Sequence, residues 1–218
     1  SAMLSGIVIQ SAFYALLRVA LGVGFPARTL GQALSILGLL NMTVGNSLAL
    51  VQIHTKRLLA YSTVAQMGYV MFAVGIGLRN SLPTAIQAGF FMLLAHAMMK
   101  ALAFLAKGIC HFYCGTTLVE ELRGTYRQLP EAAFALAFSL LSLAGIPPLA
   151  GFVGKWFALA EILRRGDGFV YVGMGILLLN TAFSLAYYLP LIATTFSSVP
   201  APSDGLRIPV SAWMVVPM

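Results

Sequence analysis

Three basic side chains sit in sequence too apolar to solvate them. His96 and Lys100 lie four residues apart in LPTAIQAGFFMLLAHAMMKALAFLAKG, and Lys155 follows a cluster of Gly145, Pro147, Pro148 and Gly151 in ALAFSLLSLAGIPPLAGFVGKWFALAEIL. A spacing of four stacks His96 over Lys100 on one helix face. A histidine within reach of a buried lysine can hand a proton in either direction near neutral pH, the property a relay requires. A lysine at mid-membrane costs about 2.5–3.5 kcal/mol on insertion scales, so such groups are rare unless used. The plain alternative for His96 is a hydrogen bond to a neighbouring helix. For Lys155 it is a stem that snorkels to the interface. Eight residues, mostly apolar, separate Lys155 from Arg164, however, and at about 1.5 Å per residue that is more than two turns, beyond comfortable reach. The two prolines remove backbone donors and clash with the preceding turn, so a helix must open there. In lipid an opened helix is tolerated only beside protein or a water-filled cavity. Buried basic groups beside a broken helix point to ion movement, protons first.

These residues need a scaffold, and the composition says which kind. The chain has 218 residues, 60% hydrophobic and 9% charged, with a mean hydropathy of +0.91. That is an all-α polytopic membrane protein, not a soluble domain. The formal net charge of +7 is spread singly among apolar runs and forms no patch of the kind nucleic acid needs, so it reads as loop arginines at lipid headgroups. Cys110, His111 and Cys114 fall short of the four ligands of a structural zinc. There is no Gly-rich phosphate loop, no cysteine run for an iron–sulfur cluster and no haem-spaced histidine pair, so neither cofactor nor metal is expected and any redox chemistry lies elsewhere.

Apolar windows of bilayer length predict six spans near 2–22, 30–52, 58–78, 84–107, 132–163 and 169–196, the fifth of them discontinuous. Residues 1–196 form one transmembrane domain, and 197–218 read as a polar, proline-rich connector followed by the start of a further helix. The connector from about 108 to 131, with Glu120, Glu121, Arg123 and Arg127, is the one long enough for an amphipathic surface helix. Alternate loops place Lys56, Arg57, Lys107, Arg123, Arg127 and Arg207 against Arg18, Arg28, Arg79, Arg164 and Arg165, and six against five does not orient the chain. No charged region or small-residue cleavage site precedes the first run, and RIPVSAWMVVPM begins an apolar stretch too short to span. A piece of a longer membrane protein is expected.

Neutral polar groups lie between the charged ones. Gln10 is midway along the first span, Asn41, Thr43 and Asn46 along the second, and Ser62 and Gln66 share a face of the third. Such groups either order water between charged sites or bond adjacent helices, the second being the commoner use. Gly38, Gly45 and Gly68 read as packing contacts.

The strings HTKRLLAYSTVAQMGYVMFAVGIG, LLAHAMMKALAFLAKG and ELRGTYRQLPEAAFALAFSLLSLAGIPPLAGFVGKW closely resemble the antiporter-like subunits of respiratory complex I, of multisubunit sodium/proton antiporters and of membrane-bound hydrogenases. The resemblance runs in order across about residues 1–196. It implies the second half of a fourteen-helix fold with two inverted five-helix repeats, each with one broken helix, around a hydrated line of lysines, histidines and glutamate. It places His96 and Lys100 in the central relay, Lys155 at the charged position of the second broken helix, and Lys56 and Arg57 on the cytoplasmic side. It also implies a prokaryotic plasma membrane, other membrane subunits as partners, and protons or sodium as the transported ion. The protein would then be part of a redox-driven proton translocase without a self-contained active site. Many members carry lysine where this chain has Gln10, which cannot hold a proton charge but can order water. A sodium/proton antiporter module, or a scaffold with weakened conduction, are the rival expectations.

Overall fold

A computed structural model describes residues 3–115, 118–119, 122–165 and 167–198, and every described element but one isolated bridge is helical. A π-helical turn at Leu4–Val8 runs into α1 (Ile9–Gly22). Then come α2 (Ala27–Leu50), α3 (Thr55–Asn80), α4 (Pro83–Cys114), the single turn α5 (Thr125–Gln128), α6 (Pro130–Ala144), α7 (Ala150–Arg165) and α8 (Gly168–Thr195). Backbone chemistry sets most of these ends. Pro83 and Pro130 open α4 and α6 at the first helical position, where a missing N–H costs nothing. Gly115 and Gly145 close α4 and α6 in the left-handed conformation. The Asp167 carboxylate caps α8 by accepting from the Val170 amide and also pairs with Arg79 at the end of α3.

Among the described residues five helices are long and apolar enough to cross a bilayer. The fifth of the six expected spans is discontinuous as expected, a pair formed by α6 and α7 of 15 and 16 residues. Neither half alone reaches the roughly 20 residues that about 30 Å of hydrocarbon requires. The connector expected from about residue 108 begins later. α4 continues to Cys114, and the described part of the connector holds only α5, while Glu120 and Glu121 fall outside the described residues. Lys107, assigned above to a loop, is therefore inside α4 and only 5% exposed. Of the connector expected at 197–218, everything from residue 199 onward lies outside the described residues.

Helix α3 is the axis of the bundle, packed on α2, α4 and α8, while α4 also carries α6 and α7. The α2–α3 seam is glycine-lined. A Cβ on Gly31, Gly38, Gly45, Gly68 or Gly75 would stand 2.4–2.6 Å from backbone of the facing helix, so only hydrogen fits there.

Two apolar clusters fill the interior. One gathers Phe13, Leu34, Met42, Phe72, Ile76, Ile162 and Leu177. The other gathers Ala49, Leu59, Phe104, Leu140, Leu143 and Leu191. Along α2, α3 and α8 buried polar side chains lie between the two clusters: Asn46, Ser62 and Gln66, and Asn180 and Ser184. His96 lies just past the changeover on α4, and Lys155 lies between the α6 residues of the second cluster and the α7 residues of the first, both buried. The fold thus holds a polar layer where the two apolar clusters meet, and the break between α6 and α7 lies beside it.

Candidate functional site

The α6–α7 break sets the place of Lys155. Gly145 turns the chain at φ +88°, the Pro147–Pro148 bond is cis, and α7 restarts at Ala150. Gly151 lies so close to the last turn of α6 that a Cβ on it would stand 1.8 Å from the Ser142 carbonyl oxygen. The Gly151 amide faces Ser142 Oγ at 3.4 Å. From α3, Gln66 Nε2 donates to the Leu143 carbonyl at 2.7 Å, satisfying a backbone acceptor near the end of α6. Sequence reasoning predicted the opening of the helix. The structure adds that a glutamine from the neighbouring helix fills part of it.

Lys155 does not snorkel. It is 4% exposed, and its Nζ lies beside Gly145 and 4.3 Å from the centroid of the Tyr69 ring. Among the described residues Nζ has no hydrogen-bond partner. An ammonium next to the carbonyl end of α6 also faces the negative end of that helix's dipole.

Lys100 is fully buried and donates to the Leu59 carbonyl at 2.8 Å and to Ser62 Oγ. Ser62 Oγ in turn donates to the same Leu59 carbonyl at 3.0 Å. His96, one turn away and 2% exposed, has its Nδ1 at 3.3 Å from Gln10 Nε2. With the Gln10 amide as donor, Nδ1 is the accepting nitrogen and the ring proton sits on Nε2. Nε2 has no partner among the described residues. Gly6, one turn before Gln10, rests on α4 near Ala97 and Ala101, and that packing aims Gln10 at His96.

The structure therefore joins Gln10 to His96, Lys100 to Ser62, and Gln66 to the helix break. It joins Lys155 to none of the other predicted residues by a hydrogen bond. Met92 and Met99, which flank His96 on α4, lie against Gly154 and Gly151 of α7, so His96 and Lys155 belong to facing helices.

Several polar residues of the layer escaped the sequence reading. Asn46 Nδ2 donates to Tyr69 Oη at 3.1 Å and to Asn180 Oδ1 at 3.0 Å, and Tyr187 Oη donates to Asn46 Oδ1 at 2.8 Å. Tyr69 could have been found, because Ser62, Gln66 and Tyr69 fall at i, i+4 and i+7 on one face. Lys107 could also have been found, because at 100° per residue it lies within about 40° of His96 and Lys100 around α4. Asn180 and Tyr187 carried a weaker signal, a polar residue in an otherwise apolar span.

The basic side chains buried among the described residues are His96, Lys100, Lys107 and Lys155, and no carboxylate among those residues is buried. No three His, Cys, Asp or Glu side chains among the described residues gather as a metal would require. What this arrangement can do chemically is hold and exchange protons on basic groups, one of which sits on the helix just after the break.

Comparison with known proteins agrees with this geometry. The family model described as "NADH:quinone oxidoreductase/Mrp antiporter, TM" matches residues 1–184. The chain is 40% identical over 181 residues to NADH-quinone oxidoreductase subunit N 2 of Syntrophobacter fumaroxidans, covering 83% of this chain and 37% of that protein. Among solved structures, the Mrp complex from a Dietzia species superposes with a TM-score of 0.83 at 28% identity, covering 93% of this chain and 37% of the matched one. Respiratory complex I of Thermus thermophilus superposes with a TM-score of 0.67 at 35% identity, covering 84% and 40%. The chain thus spans less than half the length of the relatives it matches. With the matched region covering most of its helices, the chain belongs to the NADH:quinone oxidoreductase/Mrp antiporter transmembrane family.

Proposed function

We propose that this chain is part of a proton-translocating, antiporter-like membrane subunit of a complex I-type NADH:quinone oxidoreductase or a related hydrogenase, working with other membrane subunits in a prokaryotic plasma membrane. Residues 1–196 would be the second half of the fourteen-helix fold. The observation that carries the proposal is the burial of three basic side chains, His96, Lys100 and Lys155, together with a polar layer and a broken helix.

The mechanism follows from repulsion between like charges. His96 and Lys100, one turn apart, stand about 6 Å from each other. At an effective dielectric of about 20, two charges at that distance repel by roughly 3 kcal/mol, so the pair carries one proton at a time. Ser62 and the Leu59 carbonyl hold the Lys100 ammonium when the proton is there. Gln10 orients the imidazole and serves as the contact through which the line continues toward α1. Lys155, on a helix hinged at Gly145, is the group that exchanges protons with the outer face. A redox partner elsewhere in the complex would push charge along this line.

The test is proton uptake into vesicles containing the rebuilt complex with Lys155→Ala or His96→Ala. Uptake falling to background while electron transfer persists is the expected result. Pumping at the native rate by either variant overturns the proposal. A sodium/proton antiporter subunit is the second reading, favoured by the superposition on the Mrp complex. Sodium-dependent proton efflux without any electron donor would select it.

A further inference from the structure

We infer that Tyr69 is a positioning residue for Lys155, holding the charged ammonium against the face of its ring while a hydrogen-bonded frame on three helices fixes that ring. The inference rests on the proton-relay reading of Lys155. It concerns a residue outside the line of ionisable groups.

The contact is specific. Lys155 Nζ stands 4.3 Å from the Tyr69 ring centroid, inside the roughly 6 Å at which a cation is drawn to the negative face of an aromatic ring. Such contacts matter most when both partners are desolvated. Tyr69 is fully buried and Lys155 nearly so. Among the described residues Lys155 Nζ finds no hydrogen-bond acceptor and no buried carboxylate, so the ring face and the carbonyl end of α6 are what the described structure offers to its charge.

The ring is not free to follow the lysine. Tyr69 Oη accepts from Asn46 Nδ2 on α2. The same amide is tied to α8 through Asn180 and Tyr187. Asn180 is itself anchored, donating to the Ile176 carbonyl at 2.9 Å. Beneath these side chains the glycine seam presses α2 onto α3, with Gly68, the neighbour of Tyr69, lodged against the Met42 backbone. α2, α3 and α8 therefore present a fixed aromatic face, while Lys155 rides on α7, beyond the break. A hinge motion that lifts Lys155 off the ring removes the favourable contact of its charged form only, since the neutral amine has little to gain from a ring face. Coupling between α7 position and Lys155 charge follows from that difference. Tyr69 donates no proton in this scheme.

On the helices packed against α7, the buried titratable side chains are His96, Lys100, Lys107 and Cys110 on α4 and Tyr187 and Tyr188 on α8. On α6 the titratable side chain is Glu131 in the first turn, at the opposite end from the break, and on α7 itself Glu161 lies six residues further along. None of these is a nearby anion that could replace the ring.

The test uses the full complex in vesicles and the pH profile of redox-driven proton uptake. Tyr69→Phe keeps the ring face but loses the Asn46 hydrogen bond to Oη, so it serves as the reference for the ring series. Fluorinated phenylalanines at position 69 keep the ring's shape and progressively weaken its negative face. The expected result is a graded displacement of the alkaline limb toward lower pH, reaching about one unit, a tenfold weaker hold on the proton, for the trifluoro ring. Tyr69→Leu should lose uptake at least as far, with assembly checked by the quinone-reductase rate. Coincident profiles for phenylalanine and its trifluoro analogue, in a complex where Lys155→Ala abolishes uptake, overturn the inference and leave the relay standing. Native uptake by Lys155→Ala overturns both.

Discussion

Gly151→Ala should separate the two half-helices. A Cβ at this position would lie 1.8 Å from the Ser142 carbonyl oxygen and 2.8 Å from the carbonyl carbon. Both are backbone atoms in the last turn of α6, so neither can rotate away. Restoring ordinary contact requires the start of α7 to retreat by about 1.5 Å. Overpacking of this kind costs about 1–3 kcal/mol, and parting the Gly151 amide from Ser142 Oγ adds up to about 1 kcal/mol. Alanine's better helix propensity returns at most about 1 kcal/mol, so sterics win by about 1–3 kcal/mol. Two other glycines calibrate the argument. A Cβ on Gly154 meets Met92 Cγ at 2.3 Å, a flexible side chain that can yield, and a Cβ on Gly108 meets nothing within 4 Å. Unfolding of the full-length protein in detergent should rank Gly108→Ala at or above the native protein, Gly154→Ala slightly below it and Gly151→Ala lowest. A Gly151→Ala protein as stable as the native one would refute the packing argument, and with it the claim that this contact fixes the break.

Ser62→Ala leaves Lys100 with the Leu59 carbonyl alone. A hydrogen bond to a charged group is worth about 1.5–3 kcal/mol, so uptake by the complex should fall tenfold or more, with Ser62→Thr recovering most of it. Unchanged uptake in Ser62→Ala would remove Ser62 from the line. At the membrane surface, slight desolvation works to raise the Asp167 carboxyl, but the Val170 amide and the Arg79 guanidinium outweigh it and hold the group below its ordinary value. Its stabilising contribution is therefore complete above about pH 4 and is lost as pH falls through the lower folded-state value. Asp167→Ala should cost about 1 kcal/mol near neutrality as a lost helix cap, and melts of the two proteins should converge in acid. A gap that persists at the lowest pH would locate the effect elsewhere.

Much of the architecture was legible because a bilayer enforces it. Apolar length alone predicted 169–196 for the helix observed at Gly168–Thr195. Where the prediction slipped, polar residues were the cause. Arg28 and Thr29 lowered the hydropathy of the first turn of α2, and Thr55, Lys56 and Arg57 did the same for α3, although both turns are helical. Lys107 and His111 ended the predicted fourth span early, because hydropathy treats a buried lysine as a loop lysine. The break was visible in Gly145, Pro147 and Pro148, since proline chemistry is local. The partners of the basic residues were not visible. Periodicity puts Ser62, Gln66 and Tyr69 on one face of α3, but it cannot say that this face meets Lys100, the end of α6 and Lys155 in turn.

That sequence of encounters gives the site its shape. One face of one helix supplies a hydroxyl to a lysine, an amide to an opened helix end and an aromatic face to a second lysine. α3 can do this because α2 packs on it through hydrogen-lined contacts and cannot shift without backbone collision. α6 and α7 meet through one close backbone contact, Gly151 on Ser142, and the chain turns between them through Gly145. A rigid face set against a hinged one is what a gate requires, since a proton on Lys155 is worth more in one position of α7 than in the other. A ligand or charge shifts an equilibrium only by such a difference between states. If the proposed relay holds, the coupling would belong to the α3–α7 contact, and the His96–Lys100 pair, both on the unbroken α4, would be the fixed store from which that contact draws.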